Sequence, residues 1–264
     1  MEYRIRDGVR LCYDEDGTGD PPVLLVHGWC CDHTYFAPQF EHFRREHRTV
    51  AVDLRGHGQS DKPEQDYTIA GFADDLAWLC RELGLSKPVV IGHSMGGVIA
   101  VELARRHADL PAAVVALDAP LAPPPGRRER SLRLIEALRG PHYREAQREF
   151  VAQVLFLSTD DAQRKARIVD AMSSAPQHVM AGAYAARYAW DGETALKACR
   201  VPLLSIAAAV PLTDPARLRE LCPHAVTGQT VGAGHFLQLE VPEQVNAMID
   251  RFLRIALPST VGTR

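Results

Sequence analysis

The stretch Val89-Val90-Ile91-Gly92-His93-Ser94-Met95-Gly96-Gly97-Val98-Ile99-Ala100 constrains this chain more than any other. Its three apolar β-branched residues predict a buried strand. The apolar run from Val98 to Ala104, closed by Arg105-Arg106, predicts a helix. Between them lies Gly92-His93-Ser94-Met95-Gly96, a G-x-S-x-G turn. A strand that reverses into a helix over so few residues brings the two backbones nearly into contact. A Cβ at Gly92 or Gly96 would collide there, and the central serine is forced into a strained conformation. That strain holds the Ser94 hydroxyl out beyond the end of the sheet. It also directs the backbone N–H of Met95, at a helix N-terminus, toward any negative oxygen that forms beside the serine. Ser94 is therefore the candidate nucleophile.

The rest of the chain supplies a sheet for such a turn. Val23–Val26, Thr49–Val52 and Ala113–Leu117 are short continuous apolar runs of the kind buried on both faces. They alternate with helical patterns, of which Ile69–Leu83 (Phe72, Leu76, Leu79, Leu83) is stopped by Gly84. This alternation predicts an α/β fold, a mostly parallel central sheet with helices on both faces. Ahead of it, Asp7-Gly8 and Asp16-Gly17 flank Val9–Tyr13 and predict an antiparallel hairpin at the sheet edge. Tyr35 to His42 predicts a short helix. Residues 201–206 return to strand, Asp214-Pro215 opens a helix to Leu221, and a closing helix runs from Pro242 to Leu253.

The texture differs after Asp118. A proline-rich connector, Ala119 to Gly126, leads into a helical pattern up to about Lys197 with no strand candidate. The expected plan is a core of residues 1–118 and 200–264 with a helical cap inserted at 119–199. Phe150, Phe156, Met172, Met180, Tyr184, Tyr188 and Trp190 of the cap are candidates to line a mostly apolar pocket over the serine.

A chain of 264 residues, 46% hydrophobic and 24% charged, suits one large domain with an insertion. Net charge is −3, so nothing points to a nucleic acid or an anionic membrane as partner. Residues 1–8 lack the apolar core of a signal peptide, and no apolar run approaches the ~20 residues of a membrane span. The cytoplasm is the expected location and a small molecule the expected partner, with homo-oligomer formation left open. Six cysteines (Cys12, Cys30, Cys31, Cys80, Cys199, Cys222) show no C-x-x-C spacing. They are expected to be reduced thiols with no metal bound, and the adjacent Cys30-Cys31 pair to have a packing role.

A serine hydroxyl needs a base to take its proton. Of eleven histidines, His235 follows a strand, lies in the glycine-rich loop Gly232-Ala233-Gly234-His235-Phe236, and comes late in the chain after the serine. His93, beside the serine, is expected to pack under the turn, and His57 to hold its own loop. His42, His47, His107, His142, His178 and His224 lie in polar stretches. The loop His27-Gly28-Trp29 should bring a second backbone N–H, that of Trp29, to face the one at Met95.

These pieces, together with Asp53-Leu54-Arg55-Gly56-His57-Gly58-Gln59-Ser60, resemble the α/β-hydrolase superfamily over nearly the whole chain. The resemblance implies the α/β-hydrolase fold, Ser94 as nucleophile, His235 as base and no cofactor. Serine at the turn, where relatives that open epoxides or remove halogens place aspartate, argues against those two chemistries. The acid departs from the commonest pattern. Family members usually carry aspartate just after the strand that is Leu203-Leu204-Ser205-Ile206 here, but this chain continues Ala207-Ala208-Ala209-Val210-Pro211-Leu212. Two candidates remain. Asp214 comes late and reads as a helix N-cap. Asp118 ends the preceding strand, where haloalkane dehalogenases and a fungal lactone hydrolase have their acid, and it is favoured.

The expected reaction is hydrolysis of a carboxylic ester, lactone or thioester of a small, fairly apolar substrate through an acyl-enzyme. A second reading rests on His27-Gly28-Trp29-Cys30-Cys31-Asp32-His33, which resembles the corresponding loop of cofactor-independent dioxygenases that cleave 3-hydroxy-4-quinolones. Cys31 and Met95 both depart from that group, which tends to have histidine at each position. A third reading is a catalytically silent protein that binds a small ligand under the cap.

Overall fold

The computed structural model describes residues 1–257. Its strands are β1 (Glu2–Arg6), β2 (Val9–Asp16), β3 (Val23–Val26), β4 (Thr49–Val52), β5 (Val89–His93), β6 (Ala113–Leu117), β7 (Leu203–Ala207) and β8 (Val226–Gln229). They form one eight-stranded sheet in the order β1-β2-β4-β3-β5-β6-β7-β8. β1 and β2 are the antiparallel hairpin at one edge, turned through Asp7 and Gly8 at φ 51° and 78°, the positive values that a tight two-residue hairpin turn requires. From β4 to β8 every pairing is parallel.

The register decides where chemistry can occur. Val26 pairs with both Val52 and Gly92, His93 with Leu117, and Leu117 with Ile206. The strands therefore end level, and the residues that follow them, among them Ser94 and Asp118, emerge along one rim. Ligands of open parallel sheets bind beyond this rim because the loops diverge there.

Helices α1 (Ala37–Phe43, entered through a 3-10 turn at His33–Phe36), α2 (Ile69–Glu82), α3 (Met95–Arg106) and α11 (Pro242–Ala256) pack on the sheet, α10 (Leu237–Glu240) packs on α1 and α11, and α9 (Pro215–Leu221) follows β7. One face buries α2 and α3 against β3, β5 and β6, and the other buries α1 and α11. In α2 the buried stripe includes Phe72, Leu76 and Leu79, each worth roughly 1.5–3 kcal/mol of transfer free energy, and the Thr68 side chain caps its first turn by accepting from the Gly71 N–H. Helix α3 starts at Met95, ahead of the apolar run, because the chain enters the helix directly from Ser94.

Between β6 and β7 lie α4 (Arg127–Arg139), α5 (Tyr143–Val154), α6 (Ala162–Ser173), α7 (Gln177–Ala189) and α8 (Gly192–Ala198). The first four pack on one another, whereas α8 packs on α3 and α9. The strand expected ahead of His235 is β8; Val-Thr-Gly-Gln has no apolar run, and its bounds follow from β7, which offers it a partner along Leu204–Ala207. Among the described residues no helix is long and apolar enough to cross a membrane.

Candidate active site

The turn after β5 has the predicted strain. Ser94 has φ 53° and ψ −116°, outside the regions that L-residues favour. A Cβ on Gly92 would fall on the Gly96 carbonyl, and one on Gly96 on the carbonyl of Val26, so both positions admit glycine alone. The close approach jams the start of α3 against the end of β3. Met95 is the first residue of α3, where a backbone N–H has no acceptor within the helix.

Gly28 brings the second loop alongside. A Cβ placed on Gly28 would stand 3.2 Å from the Ser94 Cβ, which fixes how near the His27–Trp29 backbone passes to the turn. His27 steers that loop. Its Nδ1–H donates to the Gly28 carbonyl at 2.8 Å while Nε2 accepts the Leu54 N–H at 3.0 Å, so the ring is held as one neutral tautomer. Cys30 takes a positive φ of 54° just after Trp29, and Cys30 and Cys31 are buried free thiols in the core. The Trp29 ring packs beside Phe150 and Tyr184. It is 5% exposed, and its Nε1–H donates to the Met180 carbonyl at 2.8 Å, tying this loop to α7.

His235 reaches the same rim from the loop after β8. Its Nδ1–H donates to Asp118 Oδ2 at 2.7 Å, and both side chains are buried. The other carboxylate oxygen of Asp118 accepts the N–H groups of Ala208 and Leu212 at 3.2 and 3.4 Å. Asp118 itself sits at φ 39°, at the first position after β6. Asp214 is elsewhere: its carboxylate caps α9 by accepting from the N–H groups of Ala216 and Arg217. An imidazole whose Nδ1–H is held by a carboxylate presents Nε2 as its basic nitrogen, the arrangement that takes a proton from a hydroxyl.

Three contacts that the sequence did not reveal support this histidine and its loop. The His93 Nε2–H donates to the His235 carbonyl at 2.9 Å, and burial holds the His93 ring neutral, well below the usual range for histidine. Asp160, in the segment between α5 and α6, accepts the Gly234 N–H at 3.0 Å and the Leu157 N–H at 2.8 Å. The His235 N–H itself donates to the Leu155 carbonyl at 2.9 Å. Only the proximity of these segments, hidden in a linear chain, distinguishes Asp160 from any other loop aspartate.

Below the rim, Asp53 is fully buried. Burial pushes its carboxyl up, but bonds from the His33 ring and from the N–H groups of Gln59 and His33 outweigh this and hold it below the usual carboxylate range. His57 donates from Nδ1 to the Arg55 carbonyl at 3.0 Å, and burial pushes its pKa down to about 3.

Ser94, Asp118, His235, Gly28 and Trp29 line one cavity of about 980 Å³, whose other walls include residues of α4 to α8, a volume suited to a small organic molecule. Of the seven cap residues expected to line it, Phe150, Phe156, Met172, Tyr184, Tyr188 and Trp190 do so. Met180 is instead buried and meets Trp29 through its carbonyl. At the opposite end of the sheet, in the segments leading into β7 and β8, Cys199, Cys222 and His224 bring their ligand atoms within 4.8 Å of one another. Thiolate and imidazole are ligands that zinc takes, yet this group stands at the amino ends of the strands and can play no part in chemistry at Ser94.

A strained serine at a strand–helix turn, a carboxylate-bound histidine and two converging backbone loops on the rim of a parallel sheet define the class of α/β hydrolases. Residues 21–242 match the model of the α/β hydrolase fold family, and the chain belongs to that family. It is 30% identical over 240 residues to the protein of Caulobacter sp. strain K31 named RutD for carbamate hydrolysis, covering 88% of this chain and 90% of that one. It is 40% identical over 110 residues to the 2-(acetamidomethylene)succinate hydrolase of Mesorhizobium japonicum, a match spanning 42% of this chain and only 39% of that relative. Among solved structures, a thermophilic esterase from Thermogutta terrifontis superposes with a TM-score of 0.83 at 29% identity, covering 96% of this chain and 97% of that one. The enol-lactonase of Burkholderia xenovorans LB400 does so with a TM-score of 0.84 at 26% identity, covering 96% and 99%.

Proposed function

We propose that the chain is a serine hydrolase that cleaves a carboxylic ester, lactone or thioester of a small molecule through an acyl-enzyme on Ser94. His235 takes the Ser94 proton, the hydroxyl oxygen attacks the carbonyl carbon, and the N–H groups of Trp29 and Met95 hold the oxyanion. Asp118 fixes the histidine tautomer and stabilises the imidazolium. Collapse of the intermediate passes that proton to the leaving group, and water then releases the acyl group by the same route. The scheme asks for no metal or organic cofactor. We take residues 119–199 as the inserted unit that shapes the substrate cavity, with the rest of the chain carrying the chemistry.

The observation that carries this reading is the 2.7 Å bond between His235 Nδ1 and Asp118 on the rim beside a strained serine. The esterase and lactonase among the similar structures agree with it, while the carbamate named for one relative marks the neighbouring bond type as the nearest competitor. The test is hydrolysis of p-nitrophenyl acetate together with covalent labelling by a fluorophosphonate. Both should be present in the native protein and lost in Ser94→Ala. Full turnover by a pure Ser94→Ala protein would end the proposal. The ring-cleaving alternative uses no covalent serine, so a labelled Ser94 with no oxygen uptake on a hydroxyquinolone excludes it.

A further inference from the structure

We infer that Arg127, Arg130 and Arg187, in the roof of the Ser94 cavity, form a subsite for a carboxylate carried by the substrate at a distance from the carbonyl that Ser94 attacks. The inference rests on the hydrolase reading for where the second end of the substrate lies. The anion subsite itself does not depend on it.

All three side chains line the cavity that holds Ser94 and His235. Among the described residues none of the three belongs to an ion pair. Arg127 donates to the Pro211 carbonyl at 3.2 Å, Arg130 stands 6.0 Å from the Phe150 ring centre, and Arg187 lies 4.5 Å from that of Tyr184. The carboxylates on the same walls are already engaged: Asp118 with His235, and Glu193 with Lys197 and Arg217. The cavity thus carries a local excess of positive charge in a chain whose net charge is −3.

Arg130 is exposed, while Arg127 and Arg187 are half-buried, so the cost of holding this excess without a counter-ion falls on those two. Burial lowers the Arg127 pKa from its ordinary value; the Asp118 charge opposes this, and Arg130 and Arg187 add to the lowering as like charges. Gly126, the cap of α4, has no side chain to satisfy the first N–H groups of that helix and lines the same wall, adding the positive end of a helix dipole. A guanidinium stacked on an aromatic ring keeps its N–H fork free for a planar anion, and bidentate carboxylate binding is what that fork fits. The aromatic walls then take the carbon chain between the two ends. The substrate expected from sequence, small and fairly apolar, becomes one that is apolar in its middle and anionic at its far end.

The experiment compares monoethyl adipate with ethyl hexanoate, esters of equal chain length that differ in a terminal carboxylate, by pH-stat in the native protein and in Arg127→Gln and Arg187→Gln. The native protein should favour the anionic ester in kcat/KM, and each substitution should lower the anionic-to-neutral ratio about tenfold or more, the worth of a charge-assisted hydrogen bond. A native ratio at or below one, or a ratio unmoved by both substitutions, overturns the subsite. In parallel, calorimetry should show adipate binding to Ser94→Ala and not to Ser94→Ala carrying both arginine substitutions. Absence of binding to Ser94→Ala also overturns it. Arginine-dependent adipate binding with neither ester hydrolysed would leave the subsite standing and remove the hydrolase reading.

Discussion

The rim of the sheet and the helical roof above it treat polar groups in opposite ways. At the rim and just beneath it, most polar groups satisfy one another, with His93 Nδ1 and His57 Nε2 the buried exceptions. Asp118 accepts from His235, Ala208 and Leu212; His27 uses both ring nitrogens; Asp53 takes three N–H donors. In the roof, Arg127, Arg130 and Arg187 have no carboxylate partner among the described residues, and α4 begins at Gly126 with no side-chain cap. Groups paired among themselves are fixed before any ligand arrives, as positioning for catalysis demands. Cationic groups with no counter-ion of their own are free to take one from a ligand, as we propose for the roof. In the proposed function the rim would set the reaction and the roof would select what undergoes it.

The largest expected effect breaks this contrast at its centre. Asp118→Asn should lower kcat on p-nitrophenyl acetate by about 10⁴-fold, because an amide cannot hold the productive tautomer of His235 or stabilise its cation. Asp214→Asn should change kcat less than about threefold and leave stability nearly unaltered, since asparagine is also a good N-cap. Kinetics of the two variants side by side check this. A collapse of turnover in Asp214→Asn alone would move the acid off the rim.

The next effect concerns stability and pH. His27, His57 and His93 are buried beneath the rim, and burial lowers the pKa of each, that of His57 to about 3. In the unfolded chain the same rings titrate near 6.5. Below that pH the unfolded state binds protons that the fold refuses. Their contribution is therefore fully present above about pH 6.5 and declines as the pH falls, for His57 down to about 3. Each such ring costs about 1.4 kcal/mol per pH unit within its window. His33 acts in the opposite sense. Its bond to Asp53 is the main cause of its raised pKa, so its contribution is present below about pH 6.5 and is lost as the pH rises through the raised value. Urea unfolding at pH 7 and pH 5 should show a clear loss at the lower pH. His57→Gln should flatten that slope by about one proton, and an unchanged slope would place its proton elsewhere.

What the amino-acid sequence alone discloses follows the same division. The turn at Gly92–Gly96 and the loop around His235 were legible because local sterics dictate them. Asp118 is favoured over Asp214 in the sequence, although each ends or opens an element convincingly. What the sequence does not carry is the register of β6 on β7, Leu117 against Ile206, which sets Asp118 beside Ala208. In the roof, the arginine-rich start of α4 reads as a solvated face, and nothing in its spacing says which side overhangs a cavity. Cys199, Cys222 and His224 were invisible as a group, because the segments feeding β7 and β8 meet only once those strands pair.

The smallest effects sharpen the boundary between the two regions, which are joined by a few bonds. Trp29 Nε1–H donates to the Met180 carbonyl, Gly234 N–H to Asp160, and His235 N–H to the Leu155 carbonyl. Trp29→Phe keeps the ring packing near Tyr184 but loses the first bond, and about 1 kcal/mol is expected in Tm-derived stability with a change in kcat/KM of only a few fold. Asp160→Ala removes the acceptor for two N–H groups at once and lets the histidine loop drift, while touching no reacting atom. Its signature should be a fall of about tenfold in kcat with little change in KM, and an equal fall in the rate of fluorophosphonate labelling, since both depend on His235 reaching Ser94. Asp160→Asn, which keeps one acceptor oxygen, should recover part of that loss. If KM rises instead and labelling is unaffected, Asp160 belongs to the roof's selection of substrate rather than to the alignment of the rim.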